Sequence, residues 1–302
     1  MSTHAALVVP SIASPMILTT RKTPHPGPHQ ILVKVHIAGL NPHDAKAQSY
    51  GLFIANTLPS PLAADIVGTV TTLGSSVTKF KQGDVVFSLV APMDPDAVGT
   101  QEFALLEEAF SALVPRGVGE HEAAVLALNP VTAFWGMFRE EGLGIPPPKP
   151  FLGYDSDFDY GKQSIAVVGG GSAVEQVREI VGDDLIYVYD AVNPGQAAEI
   201  GASFLSTTKP GRLVVITGGD FDASKVEGKK AGFERKMVHA AVWAEPELGK
   251  SYWDNVGKLI ENGDLKPIAY EEIVGLDAEK VNEALKGYTE GKAVVKPQLR
   301  LV

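Results

Sequence analysis

The chain has 302 residues, of which 45% are apolar and 21% charged, and its formal net charge is −10. These values predict a globular protein of about two domains. They argue against nucleic acid or an anionic membrane as a partner, because both select clustered lysine and arginine. The chain contains no cysteine, which excludes disulfides, thiolate nucleophiles, iron–sulfur clusters and cysteine-ligated zinc.

The first residues contain neither the basic segment nor the long apolar run of a secretory signal. No apolar stretch approaches the ~20 residues that a membrane span requires. We therefore expect a cytoplasmic location.

Short β-segments separated by turn signals dominate the first third of the chain. They are rich in valine and isoleucine and are interrupted by proline and glycine clusters such as Pro24–Pro28 and Gly74–Ser76. The predicted strands are Ala5–Val9, Ile31–Ala38, Ile66–Leu73, Asp84–Leu89 and Gln101–Leu106. Several short strands at this spacing are typical of a small β-barrel.

The middle of the chain changes to alternating helices and strands. Two predicted helices, His121–Ala127 and Pro130–Glu140, precede a proline-rich loop over Gly142–Gly161. The next predicted elements are the strands Ser164–Val168, Leu185–Asp190 and Arg212–Thr217 and the helices Ala173–Val181 and Gln196–Phe204. Apolar strands separated by helices predict a parallel sheet that is covered on both faces.

The last part of the chain alternates once more. A helix is predicted over Leu248–Asn262 and a strand over Ile268–Val274. Asp277 is a suitable N-cap for a helix that ends near Tyr288, and Ala293–Leu301 is predicted to be the final strand.

Several segments, in a fixed order along the chain, carry a family resemblance. They are Gly39–Asp44, Pro61–Val70, Phe80–Val86, Asn129–Ala133, Gly275–Asn282 and Lys292–Pro297. Their order and spacing resemble the medium-chain dehydrogenase/reductase superfamily. The chain is most similar to the zinc-independent fungal branch of enoyl reductases and quinone-oxidoreductase-like proteins, which includes trans-acting enoyl reductases of polyketide pathways.

The resemblance implies an α/β fold of two domains. A GroES-like β-barrel substrate domain would occupy residues 1–130 and a Rossmann-type domain residues 131–266, with residues 267–302 returning to the substrate domain. The zinc branch of the family has Gly-His-Glu where this chain has Ala63-Ala64-Asp65. Because zinc sites in that branch also need cysteine, the resemblance implies neither catalytic nor structural zinc.

The Rossmann-type part is shorter than that of the family, whose strand order is 3-2-1-4-5-6. Only residues 173–184, which leave room for one helix and no more, separate its glycine turn, Gly169-Gly170-Gly171-Ser172, from Leu185–Asp190, which resembles the family's fourth strand. A single βαβ unit already takes ~30 residues. The sequence therefore predicts that strands 2 and 3 are missing, by excision near Val174, and that strands 1-4-5-6 remain contiguous.

The missing segment is the one that recognises the ribose of a dinucleotide. We therefore expect no cofactor, with NADPH as the alternative. If nucleotide binding is retained, the resemblance assigns it to Thr132, which matches a position near the nicotinamide, and to Gly169, Gly170, Gly171 and Ser172. Glycines also serve ordinary tight turns.

Six polar residues are candidate catalytic groups. The resemblance places Asn41, Asp44 and Lys46 at the floor of the family's substrate cleft, although Asp44 could equally cap a following helix. Tyr50 lies where related reductases have a tyrosine near the substrate carbonyl, and it is either a proton donor or a packing residue.

The other two candidates are a histidine and an aspartate. His43 could act as an acid or base near neutral pH, or it could be a solvent-exposed turn residue. Asp65 follows an apolar run, so we expect a partly buried carboxyl group. No third ligand accompanies His25 and His29, so we expect no metal site there.

Three functions are compatible with this sequence. The first is a reductase-derived enzyme that no longer transfers hydride and catalyses a cofactor-independent cyclisation, isomerisation or elimination of a polyketide-like substrate in the interdomain cleft. The second is an NADPH-dependent enoyl or quinone reductase with an atypical cofactor site, and the third is a non-catalytic binding protein. The expected partner is a small molecule, with no nucleic acid and no membrane, and a homodimer is left open.

Overall fold

The computed structural model describes residues 2–168, 179–192, 198–216, 218–226 and 228–301. The chain forms two compact units, one of residues 1–129 and 241–302 and one of residues 130–240. The predicted glycine turn, the predicted excision point and most of the predicted helix Ala173–Val181 lie outside the described residues.

The described residues contain thirteen strands, numbered here in chain order. They are β1 Thr3–Val8, β2 Ile17–Lys22, β3 Gln30–Gly39, β4 Asp65–Leu73, β5 Val85–Leu89, β6 Phe103–Glu107, β7 Ser111–Leu113, β8 Ile165–Val168, β9 Tyr187–Asp190, β10 Gly211–Val215, β11 Phe233–Met237, β12 Tyr270–Val274 and β13 Lys296–Arg300.

Six α-helices that begin and end within the described residues accompany these strands. They are α1 Pro42–Tyr50, α2 Glu120–Val125, α3 Leu128–Phe138, α4 Ala198–Phe204, α5 Pro246–Glu261 and α6 Ala278–Thr289. No described helix combines the length and the apolar character that crossing a membrane would demand.

The first unit is built on a seven-stranded sheet with the strand order β12-β13-β3-β4-β5-β7, in which β6 also pairs with β3. Its strands pair antiparallel, except β12 and β13, which run parallel. β3 is the centre of this sheet because it pairs with three neighbours, and most of its side chains are buried. The predicted GroES-like β-domain is confirmed.

The boundary between the units differs from the prediction at one end. The first boundary lies at residue 129, close to the predicted 130, but the second lies at residue 240 and not at 266. The cause is α5, whose Trp253 packs edge-on against Phe87 of β5 with ring centroids 5.3 Å apart. In addition, Lys79 forms a 2.8 Å ion pair with Asp254. These contacts place α5 with the barrel strands.

The second unit contains a four-stranded parallel sheet with the order β11-β10-β9-β8. In the family's numbering these are strands 6, 5, 4 and 1, so the predicted order 1-4-5-6 is confirmed. β11 was not predicted, because Glu234, Arg235 and Lys236 interrupt the apolar pattern of its sequence. A core of apolar side chains from β9, α4 and β10, including Val188, Phe204 and Leu213, packs against the sheet.

A glycine in α3 is expected to be required for packing of the second unit. A Cβ atom on Gly136 would lie 2.0 Å from the ring of Tyr189, whose hydroxyl donates a 3.0 Å hydrogen bond to the Thr132 carbonyl. We expect Gly136→Ala to lower the free energy of unfolding by about 1–3 kcal/mol through overpacking, measured by chemical denaturation.

Gly257 in α5 provides the matched control for this substitution. A Cβ atom there would meet nothing within 4 Å, so Gly257→Ala is expected to raise stability by up to about 1 kcal/mol, because alanine is the better helix former. Equal effects of the two substitutions would contradict the packing argument.

Candidate functional site

Four polar side chains meet where β3 ends, α1 begins, β4 begins and β13 begins. They belong to Asn41, Asp44, Asp65 and Lys296, which are 2%, 1%, 0% and 6% exposed. Buried charged groups are rare unless they are paired. This cluster, called here the buried network, contains three of the predicted site residues and one lysine that was not predicted.

Asp44 connects the start of α1 to the loop before β4. Pro42 begins the helix, a position for which its fixed φ and missing N–H are suited. One oxygen of Asp44, Oδ2, accepts a 2.7 Å hydrogen bond from the backbone N–H of Asn41, and Oδ1 accepts a 2.9 Å hydrogen bond from the N–H of Ala63. Asp44 therefore has the helix-capping role that was one of its two predicted interpretations.

Burial raises the pKa of the Asp44 carboxyl group above its usual value, because a charged form is poorly solvated there. The imidazole of His43 and the two backbone N–H donors oppose this shift, while the carboxylate of Asp65 adds to it.

Asp65 is satisfied at both of its oxygens. Oδ1 accepts a 2.8 Å hydrogen bond from the N–H of Leu128, and Oδ2 accepts a 2.9 Å hydrogen bond from the Asn41 side-chain amide. Oδ2 also accepts a short hydrogen bond from the ammonium group of Lys296. Asp65 is fully buried and not partly buried as predicted, because backbone and side-chain donors replace all of its water.

Lys296 is the member of the network that sequence reasoning missed. Its ammonium group also donates a 2.7 Å hydrogen bond to Oδ1 of Asn41. A signal was present in the sequence, because Lys296 follows the apolar residues Ala293–Val295 in a predicted strand. A lysine within a buried strand requires a buried anionic partner, and Asp65 was the predicted buried carboxyl group.

The other three predicted catalytic residues share a different face of α1. His43, Lys46 and Tyr50 are spaced at i, i+3 and i+7, which places them on one side of a helix, whereas Asp44 and Ala45 are buried on the other side. Tyr50 is 75% exposed. Lys46 is half-buried and forms no ion pair with the described residues.

His43 lies between the open face and the buried network. Its Nε2 atom is buried, lies 3.6 Å from Oδ1 of Asp44 and has no hydrogen-bond partner among the described residues. The edge of the ring contacts Phe53, with centroids 6.3 Å apart. Nε2 of the imidazole therefore faces the Asp44 carboxyl group, and Nδ1 is the nitrogen that remains for another partner.

The predicted cofactor residues are only partly described. Thr132 lies on α3, where its carbonyl accepts the Tyr189 hydrogen bond, and Gly169, Gly170, Gly171 and Ser172 lie outside the described residues. Within the described sheet β8 is an edge strand, and only residues 169–186 separate it from β9. In the family a second strand beside strand 1 carries the ribose-recognising residue, and the described residues contain no strand on that side of β8.

The described residues also contain no group of three or more histidine, aspartate or glutamate side chains arranged to hold a metal ion.

Comparison with known proteins identifies relatives of the whole chain. Residues 27–126 match the alcohol dehydrogenase GroES-like domain. The chain is 24% identical to the dehydrogenase azaJ of Aspergillus niger, covering 98% of each protein. It is 29% identical to the trans-enoyl reductase tazE of Aspergillus terreus, covering 57% of this chain and 56% of that protein. The azaJ alignment spans 349 positions, more than the 302 residues of this chain, so the chain lacks segments that this relative has.

Solved structures share the fold at low sequence identity. A zinc-dependent alcohol dehydrogenase-like protein from Rhizobium etli superposes with a TM-score of 0.80 at 18% identity, covering 100% of this chain and 99% of that one. The CurF ER cyclopropanase of the curacin A biosynthetic pathway superposes with a TM-score of 0.71 at 15% identity, covering 99% of each chain.

Proposed function

The chain is an enoyl-reductase-like enzyme of the medium-chain dehydrogenase/reductase superfamily, and from this premise we propose that it no longer transfers hydride. Its proposed reaction is a cofactor-independent isomerisation, cyclisation or elimination of a small enone or polyketide-like substrate. The broader class, a reductase-type enzyme of secondary metabolism, agrees with its relatives.

The observation that carries this proposal is the strand order 1-4-5-6 in the second unit. The family's dinucleotide site needs a residue at the end of strand 2 to bind the ribose, and the described sheet ends at strand 1. An enzyme with its first unit intact and this part of the nucleotide site missing can still orient a substrate and polarise a carbonyl group.

The names of two similar proteins support the substrate class. The tazE relative is named a trans-enoyl reductase, and the CurF protein is named an ER cyclopropanase of a biosynthetic pathway. One is a reductase by name and the other a ring-forming enzyme, so the fold is compatible with both kinds of reaction.

The three proposed reactions share a first step, which is removal of a proton from the carbon next to a carbonyl group. In this proposal Nδ1 of His43 takes the proton, and the electron pair of the broken C–H bond moves to the carbonyl oxygen. Lys46 and Tyr50, on the same face of α1, donate hydrogen bonds to that oxygen. The proton returns to another carbon in an isomerisation, so no oxidant or reductant is consumed.

Asp44 supports this step without touching the substrate. Its carboxyl group lies 3.6 Å from the buried Nε2 of His43, where a negative charge stabilises the imidazolium that forms when Nδ1 accepts a proton. The arrangement is similar to that of catalytic sites in which a third group orients the base.

Deuterium exchange tests this function without knowledge of the product. The protein is incubated in D₂O, without nucleotide, with short β,γ-unsaturated ketones and thioesters, and exchange of the protons next to the carbonyl group is followed by NMR. We expect His43→Gln to reduce protein-dependent exchange about 10²–10⁴-fold, the range that a general base contributes, and Tyr50→Phe to reduce it less.

His25 provides the matched control, because it lies in the proline-rich turn between β2 and β3, outside α1 and the buried network. His25→Gln should retain the wild-type exchange rate, as should Tyr154→Phe for the tyrosine substitution. If exchange requires the protein but is equal in wild type and His43→Gln, the assigned base is wrong. If product forms only as NADPH is consumed, the cofactor-independent proposal is wrong.

The alternative function is an NADPH-dependent enoyl or quinone reductase. It is favoured by the similarity to tazE, which is named as a trans-enoyl reductase. It would require that other residues supply the ribose site, and it predicts substrate-dependent NADPH oxidation in the same assay.

A further inference from the structure

Phe53 lies in the turn that follows α1, in a backbone conformation that its residue type disfavours. The N–H of Ile54 donates a 3.1 Å hydrogen bond to the carbonyl of Gly51, which closes a four-residue turn. Phe53 is the third residue of this turn and has a φ of +68°. Turns with a positive φ at the third position favour glycine or asparagine there, because a residue with a larger side chain is strained in this conformation.

The packing of the turn does not explain the choice of phenylalanine. Among the described residues the other non-glycine residues with a positive φ are Ala13 and Ala63, whose side chains are small. Ile54 is the member of the turn that fills the core, at 0% exposed, whereas Phe53 is 38% exposed. A large and partly exposed ring at a strained position indicates a function that needs the ring.

The ring of Phe53 lies beside the proposed base. It contacts the His43 imidazole edge-on, with centroids 6.3 Å apart and an angle of 71° between the two rings. Two other apolar side chains of the same segment, Tyr50 and Leu52, are 75% and 36% exposed. Ligand sites typically combine aromatic and apolar walls with a few polar groups that orient the ligand, and His43 and Lys46 supply such groups.

We propose that Phe53 is a specificity-determining residue, whose ring provides the apolar surface on which the hydrocarbon chain of the substrate lies while the carbonyl group faces His43. The inference rests on the proposed function. It adds a substrate class, which is a ketone or thioester with an extended hydrocarbon chain. An aromatic ring is suited to this role because it offers a large apolar area and few rotatable bonds.

Binding of saturated methyl ketones tests this inference without turnover. The dissociation constants of a series with alkyl chains of two to seven carbons are measured by ligand-observed NMR. For the wild type we expect the dissociation constant to fall about two- to fourfold with each CH₂ group that contacts the ring. Phe53→Gly removes the ring and suits the positive φ. The dependence on chain length should therefore be lost, and the longest ketone should bind about tenfold more weakly.

Two further variants separate the ring from the backbone conformation. Ala13→Gly is the matched control, because it relaxes another positive φ, of +61°, without removing a ring, and its affinities should equal those of the wild type. Phe53→Leu keeps an apolar side chain and should retain most of the chain-length dependence. Phe53→Gly should be at least as stable in urea as Phe53→Leu, because glycine adopts the positive φ without strain. A less stable Phe53→Gly would show that the ring is retained for packing and would contradict the inference.

The binding series gives the decisive outcomes. A chain-length dependence that survives in Phe53→Gly would overturn the inference, as would its absence in the wild type. An equal loss of affinity for short and long ketones would also overturn it, because a ring that only positioned His43 would have that effect. If Phe53→Gly does not fold, Phe53→Asn repeats the test, since asparagine tolerates a positive φ. Because binding needs no turnover, absence of deuterium exchange would contradict the proposed function without deciding this result.

Discussion

Replacing Lys296 with methionine is expected to lower the free energy of unfolding by about 3–5 kcal/mol, the usual effect of leaving one member of a buried ion pair without its partner. Asp65 is 0% exposed, so water cannot replace the lost ammonium group. The Asn41 side-chain oxygen also loses its 2.7 Å donor. This effect is a large part of the total stability of a typical domain, and urea denaturation at neutral pH measures it.

Two further variants test whether the expected loss of stability in Lys296→Met is caused by the burial of the ion pair. Lys292 lies four residues before Lys296 and pairs with Glu290 at 2.6 Å, but its side chain is 67% exposed, so Lys292→Met should leave stability unchanged within error. The double variant Asp65→Asn/Lys296→Met should recover much of the loss, because it leaves no unpaired buried charge. If Lys296→Met is as stable as Lys292→Met, the buried network does not have the energetic role described above.

NADPH is expected to bind with a dissociation constant above about 100 µM, at least a hundredfold weaker than micromolar binding. The described sheet ends at β8, and the proposed function implies that the hydrogen bonds which strand 2 would supply to the ribose and its phosphate are missing. Two charge-assisted hydrogen bonds of about 1.5–3 kcal/mol each account for a loss of this size. Calorimetric titration of the purified protein with NADPH and with NADH measures it.

The same titration distinguishes the two enzymatic functions. A site without a ribose-recognising residue should not discriminate NADPH from NADH, because that residue normally makes the distinction. Micromolar, NADPH-selective binding that is lost in Gly170→Val would contradict the expectation and would favour the NADPH-dependent reductase.

The strand order of the second unit was predictable because it follows from chain length and neighbour relations. Strands 1 and 4 are adjacent in the order 3-2-1-4-5-6, so removing strands 3 and 2 leaves a contiguous sheet. The parallel pairs β8–β9, β9–β10 and β10–β11 confirm this. In contrast, β11 was missed because its three consecutive charged residues, Glu234, Arg235 and Lys236, interrupt the apolar pattern that predicts a strand.

The position of α5 could not be read from its sequence. Its apolar stripe indicates that one face is buried, but periodicity does not state which sheet covers that face. Only the contacts of Trp253 with Phe87 and of Asp254 with Lys79 show that α5 belongs to the first unit.

The candidate site shows the same division between local and non-local information. The sequence by itself determined that Asn41, His43, Asp44, Lys46 and Tyr50 fall in one short segment, and that the spacing between the glycine turn and Leu185 leaves room for only one helix. Both statements concern residues that are neighbours along the chain. Only the tertiary structure decided that Asp44 is buried while Tyr50 is exposed, and that Lys296 closes the network. These outcomes depend on the sheet register that brings β13 beside β3, so that Lys296 contacts Asn41, 255 residues away in the chain. A pairing of that range is set by packing of the whole unit.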